Sequence, residues 1–169
     1  RVLWVSLLSQ CGIVFTGALV RLTGSGLGCP TWPECTEGSL VPVPHQAQGF
    51  HKYIEFGNRM LTFVIAVACI ASMIVALRTQ PRRRPIVVLS ALGLLGVLAQ
   101  ALLGGFTVLA GLHPATVAAH FLVSILLIYF AHVAYARSGE DGDATPQPVV
   151  RREAHLLGRI IVLLSACIL

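Results

Sequence analysis

Four stretches of this 169-residue chain, 2–20, 60–77, 86–112 and 114–136, contain no charged side chain. At a rise of about 1.5 Å per residue each is long enough to cross a hydrocarbon core of about 30 Å with some tilt. Lipid offers no water to an unpaired peptide group, so such stretches cross as helices whose backbone bonds are internal. The chain is therefore expected to be all-α, an integral membrane four-helix bundle with helices near 2–20, 53–77, 86–109 and 114–136 and an outer loop at 21–52. Composition agrees: 56% of residues are hydrophobic and only 11% charged, where a soluble domain carries roughly 25% charged residues.

A fifth apolar run begins near Ala154 and is still going at Leu169, its last ten residues uncharged. We expect 153–169 to be the start of a fifth transmembrane helix that continues in the intact protein. The acidic, proline-containing stretch GEDGDATPQP at 139–148 reads as part of a flexible inner linker, 138–152, which leaves 1–137 as the first bundle. No short apolar region with a small-residue cleavage site opens the chain, so its first helix reads as a true span.

The net charge of +5 and pI near 9.3 raise the question of a nucleic-acid partner. The arginines answer it, because they collect at alternate helix ends. Arg78, Arg82, Arg83 and Arg84 fill the second link, Arg137, Arg151 and Arg152 flank the linker, and Arg1 opens the chain. The 21–52 loop has only Arg21 and Lys52 beside Glu34 and Glu37. Positive residues stay on the cytoplasmic side of a membrane, which puts the N-terminus in the cytoplasm of a bacterial plasma membrane. The charge thus reads as topology, with no nucleic acid implied.

Three of five cysteines, Cys11, Cys69 and Cys167, fall in apolar runs, where a thiol behaves as a small hydrophobe. Cys29 and Cys35 instead bracket Pro-Thr-Trp-Pro-Glu in the outer loop, an oxidising setting that suits a disulfide closing a tight turn, with two free thiols as the alternative. Their spacing does not fit a zinc site. Gly24, Gly26 and Gly28 follow no strand, which removes the phosphate-cradle reading.

The second helix carries the polar residues that lipid does not tolerate idly. His51, Glu55, Asn58 and Thr62 recur at i, i+4, i+7 and i+11 and share one face. Glu55 needs either a task or a partner, and Arg59, four residues on, offers the partner. On the fourth helix His120 lies about 9 Å from the outer end, matching Asn58 at about 10 Å on the second. Inward-facing side chains at one level build cofactor sites in four-helix bundles, and imidazole is a common haem iron ligand. The alternative is a core histidine bonded to a backbone carbonyl or to Ser124. His45, His113, His132 and His155 fall in loops or near the inner end and are left out of the site.

The run TGSGLGCPTWPEC at 23–35, IEFGNR at 54–59, GGFTVL at 104–109 and the pair His120-Phe121 resemble the heme A synthase family. The resemblance covers all four complete helices and the first outer loop. It implies eight transmembrane helices in two pseudo-symmetric halves, of which this chain is the first half and the start of the fifth helix. It also implies an enzyme that oxidises the C8 methyl of haem o to the formyl group of haem a with oxygen, for terminal oxidases.

By position, Glu55 matches the family's functional glutamate, His120 its fourth-helix histidine and haem iron ligand, and Cys29 and Cys35 its outer-loop pair. Asn58 stands where the family commonly has histidine. His51 shares its face but lies about 10 Å nearer the surface, so the expected site comprises His120, Asn58, His51 and Arg59 around haem o, with Glu55 near the reacting edge. The resemblance places haem b mainly in the missing half, and suggests heme O synthase and an electron donor as partners. Two other classes fit the residues: a membrane haem b cytochrome passing electrons, and a non-enzymatic transporter or oxidase-assembly subunit.

Overall fold

Each of the four uncharged stretches is contained within one helix in the computed structural model, which describes residues 1–140 and 156–158, apart from 110–112, which form the turn between the last two. Helix α1 spans Val2–Leu22, α2 His51–Arg78, α3 Arg84–Leu109 and α4 Pro114–Ser138. All four are long and apolar enough to cross a membrane, and no strand occurs among the described residues. The expected linker and fifth helix lie outside the described residues except at 138–140 and 156–158.

The helix ends follow local chemistry. Prolines 85 and 114 occupy the first turns of α3 and α4, where their missing N–H is no loss. His113 caps α4 by accepting the Ala115 N–H at 3.3 Å. Gly111 and Leu112, both at positive φ, turn the chain between α3 and α4 within four residues.

The helices run up and down. Trp4 on α1 stacks on Tyr135 at the far end of α4, ring centres 5.1 Å apart. Arg83, which precedes α3, donates to the Glu140 carbonyl at 2.9 Å just past α4. Each helix packs on two others, α1 on α2, α2 on α3, α3 on α4 and α4 back on α1, closing a square. Its centre is Ile65, Cys69, Val97 and Leu127, flanked by Ile13 and Val123. Large apolar residues such as Phe15, Phe63, Leu95 and Leu102 point outward, as they must where the surrounding solvent is hydrocarbon.

Two polar layers flank that apolar centre. On the arginine-rich side, Ser6 and Gln10 of α1 contact the Cys69 thiol, each at 3.8 Å, beside a small cavity of about 20 Å³ that Ser72 and Ser90 also line. On the other side lie Thr16, Asn58, Gln100 and His120, between the centre and the 23–50 loop. Helix α2, about 42 Å long, carries its first two turns beyond the uncharged stretch that starts at Met60. Those turns hold the loop.

Candidate functional site

Three charged residues of α2 grip the loop. Arg59 Nη2 donates to the Cys29 carbonyl at 2.6 Å, and its Nη1 donates to the carbonyls of Thr31 and Glu34 at 3.0 and 3.1 Å. Its Nε and Nη2 also bind Glu55 Oε1, at 3.1 and 2.5 Å. The second carboxylate oxygen, Oε2, accepts the Cys29 N–H at 2.8 Å. Glu55 is only 4% exposed and Lys52 2%, the Lys52 ammonium being spent on the carbonyls of Val43 and Pro44. Partnered charges of this kind are what burial permits. The Glu55–Arg59 pair that the four-residue spacing suggested is present, with the loop added to it.

Cys29 and Cys35 form a disulfide, both sulfurs wholly buried. Gln46 Nε2 ties the far arm of the loop to the Gly28 carbonyl at 2.6 Å. Trp32, at the tip between the cysteines, lies against α3 where residue 105 is glycine: a Cβ there would overlap the indole. Replacing Cys29 and Cys35 with serine removes the closure entropy of a short loop, about 2 kcal/mol. The Arg59 bonds survive that change, so the loop is expected to stay docked and the loss to appear as a lower unfolding midpoint in detergent, reproduced in the parent by reductant.

The remaining candidates separate. Asn58 Oδ1 accepts from Thr16 Oγ1 on α1 at 2.7 Å. His51 Nδ1 pairs with Ser25 Oγ at 2.8 Å, at the exposed start of α2. An open cleft of about 210 Å³ between α1 and α2, lined by Gly12, Ile13, Thr16, Leu61 and Val64, passes Thr16; His120 does not line it.

His120 is different in kind. Its imidazole lies along α3 at Gly104, where a Cβ would stand 3.2 Å from Cε1. Nδ1 is buried without a partner, and the ring makes no hydrogen bond among the described residues. The residue's carbonyl accepts from Gln100 Nε2 at 2.8 Å and from Ser124 Oγ at 2.9 Å. The alternative of a ring bonded to Ser124 or to a backbone carbonyl is thus not the arrangement present. An imidazole without a hydrogen-bond partner in a membrane bundle suits a metal-centred ligand such as haem.

The sequence profile of the family described as "Cytochrome oxidase assembly protein" matches residues 1–169. The chain belongs to the cytochrome oxidase assembly protein family. Within that family it is similar to a protein named heme A synthase from Geobacillus kaustophilus, 39% identical over 116 residues, which make up 68% of this chain and 35% of the relative. A heme A synthase of Lysinibacillus sphaericus is 35% identical over 134 residues, 77% of this chain and 42% of the relative. One of Listeria monocytogenes is 37% identical over 115 residues, 68% and 37%. The chain therefore spans about 35–42% of the length of these curated relatives. No solved structure matches it.

For this family member, sequence reasoning missed the residues that work through contacts between elements. Lys52 and Gln46 carry no motif, and their carbonyl partners lie in an irregular loop. Gln100 and Thr16 are polar intrusions in otherwise apolar runs, a signal that could have drawn attention to the levels of His120 and Asn58.

Proposed function

We propose that this chain is the haem-o-binding half of a heme A synthase, which oxidises the C8 methyl of haem o to the formyl group of haem a by successive oxygen-dependent hydroxylations. The observation that carries the reading is the His120 imidazole, whose buried Nδ1 has no partner, in the polar layer beneath the loop. His120 Nε2 takes the iron of the substrate. Asn58 is held by Thr16 and His51 by Ser25, and neither amide nor surface imidazole competes as a second ligand. Within residues 1–137 His120 would then have no paired histidine, which argues against an electron-transfer cytochrome built on this half.

Glu55 would move a proton through Oε2, the oxygen that accepts the Cys29 N–H while Arg59 binds Oε1. The arginine-rich end of the bundle faces the cytoplasm under the positive-inside rule and is the face offered to heme O synthase and an electron donor. Haem b supplies electron transfer when bound, and we assign its site to the full-length protein outside 1–137, in a second bundle reached through the 138–152 linker and a fifth helix starting at 153–169.

The test is haem extraction from cells expressing the full-length protein. His120→Ala is expected to abolish haem a and leave haem o to accumulate; undiminished haem a would overturn the reading. Glu55→Gln is expected to slow conversion severely while haem o still binds, and complete conversion by that variant would remove the proton role.

A further inference from the structure

Gln100 projects from α3 one turn before Gly104, on the same face, and its amide is oriented by its own partners. Nε2 lies 2.8 Å from the His120 carbonyl and 2.6 Å from Ser124 Oγ. A carbonyl only accepts, so the NH2 end of the amide has to face it. Oε1 is therefore the end left over, and it is buried without a partner. The Ser124 hydrogen is already given to the His120 carbonyl at 2.9 Å.

Two orphaned polar atoms thus occur on neighbouring side chains at one level: Gln100 Oε1, which can only accept, and His120 Nδ1, which accepts or donates according to tautomer. A histidine that binds metal through Nε2 carries its proton on Nδ1, and such a ring nearly always donates that N–H to a fixed acceptor. Iron at Nε2 would convert the two orphans into a complementary pair. Gly104 contributes by leaving room for the ring beside α3, its Cε1 lying 3.2 Å from where a Cβ would stand.

We propose that Gln100 is a positioning residue for His120, its Oε1 accepting the Nδ1–H and so fixing the tautomer, direction and basicity of the ring that binds the iron of haem o. This rests on the reading of His120 as the iron ligand.

The experiment adds haem o to the purified full-length protein in detergent and reads affinity, the ferrous iron–histidine stretching frequency and the midpoint potential. Haem held elsewhere is common to parent and variants and cancels in the difference. Gln100→Met keeps the length of the side chain and loses the amide; it is expected to weaken binding by about 10–100-fold, lower the stretching frequency and raise the potential. Gln100→Glu keeps an acceptor and adds charge, and is expected to move frequency and potential the opposite way, a reversal that a packing defect would not produce. Ser124→Ala removes a bond to the amide without touching the ring and is expected to leave the frequency unchanged. Parental spectra and affinity in Gln100→Met, or shifts of the same sign in Gln100→Met and Gln100→Glu, would overturn the role of Gln100. If His120→Ala itself binds haem o with the parental frequency, the His120 reading falls and this inference with it; if that variant loses the signal and Gln100→Met does not, only this inference falls.

Discussion

Arg59→Leu is expected to release the outer loop from α2 and to destabilise the protein by about 3–5 kcal/mol, the range seen when one member of a buried ion pair is removed. The guanidinium makes five hydrogen bonds to four acceptors at once: Glu55 Oε1 by two N–H groups and the carbonyls of Cys29, Thr31 and Glu34. With leucine in its place Glu55 remains at 4% exposure with a charge and only the backbone N–H groups of Cys29 and Gly28 to meet it. Arg59→Lys keeps the charge but not the planar fork, and a single ammonium cannot reach carbonyls on both sides of the turn; most of the loss should persist. Thermal unfolding in detergent, with limited proteolysis in the loop, measures both effects. A variant within about 0.5 kcal/mol of the parent, the range of an ordinary surface change, would contradict the account of Arg59 as the loop's main anchor.

Gly28→Ala is expected to be nearly as harmful for a different reason. A Cβ on residue 28 would run into the carbonyl of His51 and the amide nitrogen of Lys52. Both are backbone atoms of the first turn of α2, so no side chain can swing aside. The loop has to lift, which pulls the Cys29 N–H from Glu55 Oε2 and the Gly28 carbonyl from Gln46. Overpacking typically costs about 1–3 kcal/mol, and the lost bonds place this site at the upper end, about 3 kcal/mol. Gly17→Ala supplies the control: nothing lies within 4 Å of a Cβ there, and alanine favours a helix interior, so that variant should unfold at or slightly above the parental midpoint. Equal effects at the two glycines would show that steric contact with α2 is not what excludes a side chain from position 28.

The spans were legible because hydrocarbon imposes one rule on every residue of a crossing helix, and a run without charge satisfies it visibly. The ends were less so. Helix α2 begins at His51 where the hydropathy pattern suggested 53, and α1 continues to Leu22 where it suggested 20, because loop contacts, not hydropathy, decide the first and last turns. The Glu55–Arg59 pair was readable from its spacing on one helix. Its loop partners were not, since they are backbone groups of an irregular segment and carry no residue signature. The same holds for His120: its residue type marked it out, yet that its ring is unpaired and that Gln100 stands beside it depends on how α3 and α4 cross. Family resemblance located the histidine, and packing supplied its neighbours.

The grip of α2 on the loop has a consequence for how the protein is made. Lys52, Glu55 and Arg59 lie within about two turns of a single helix and outside it reach residues 28–44, all of which leave the ribosome before that helix does. Nearly everything that shapes the loop is thus synthesised by residue 59, and the disulfide can close around a template already in place while α3 and α4 are still to come. The exceptions are Gly26, which lies against Leu112, and Trp32, whose seat at Gly105 arrives later. Docking of that indole is then a late check on assembly, reporting that α3 has taken its place beside a finished roof.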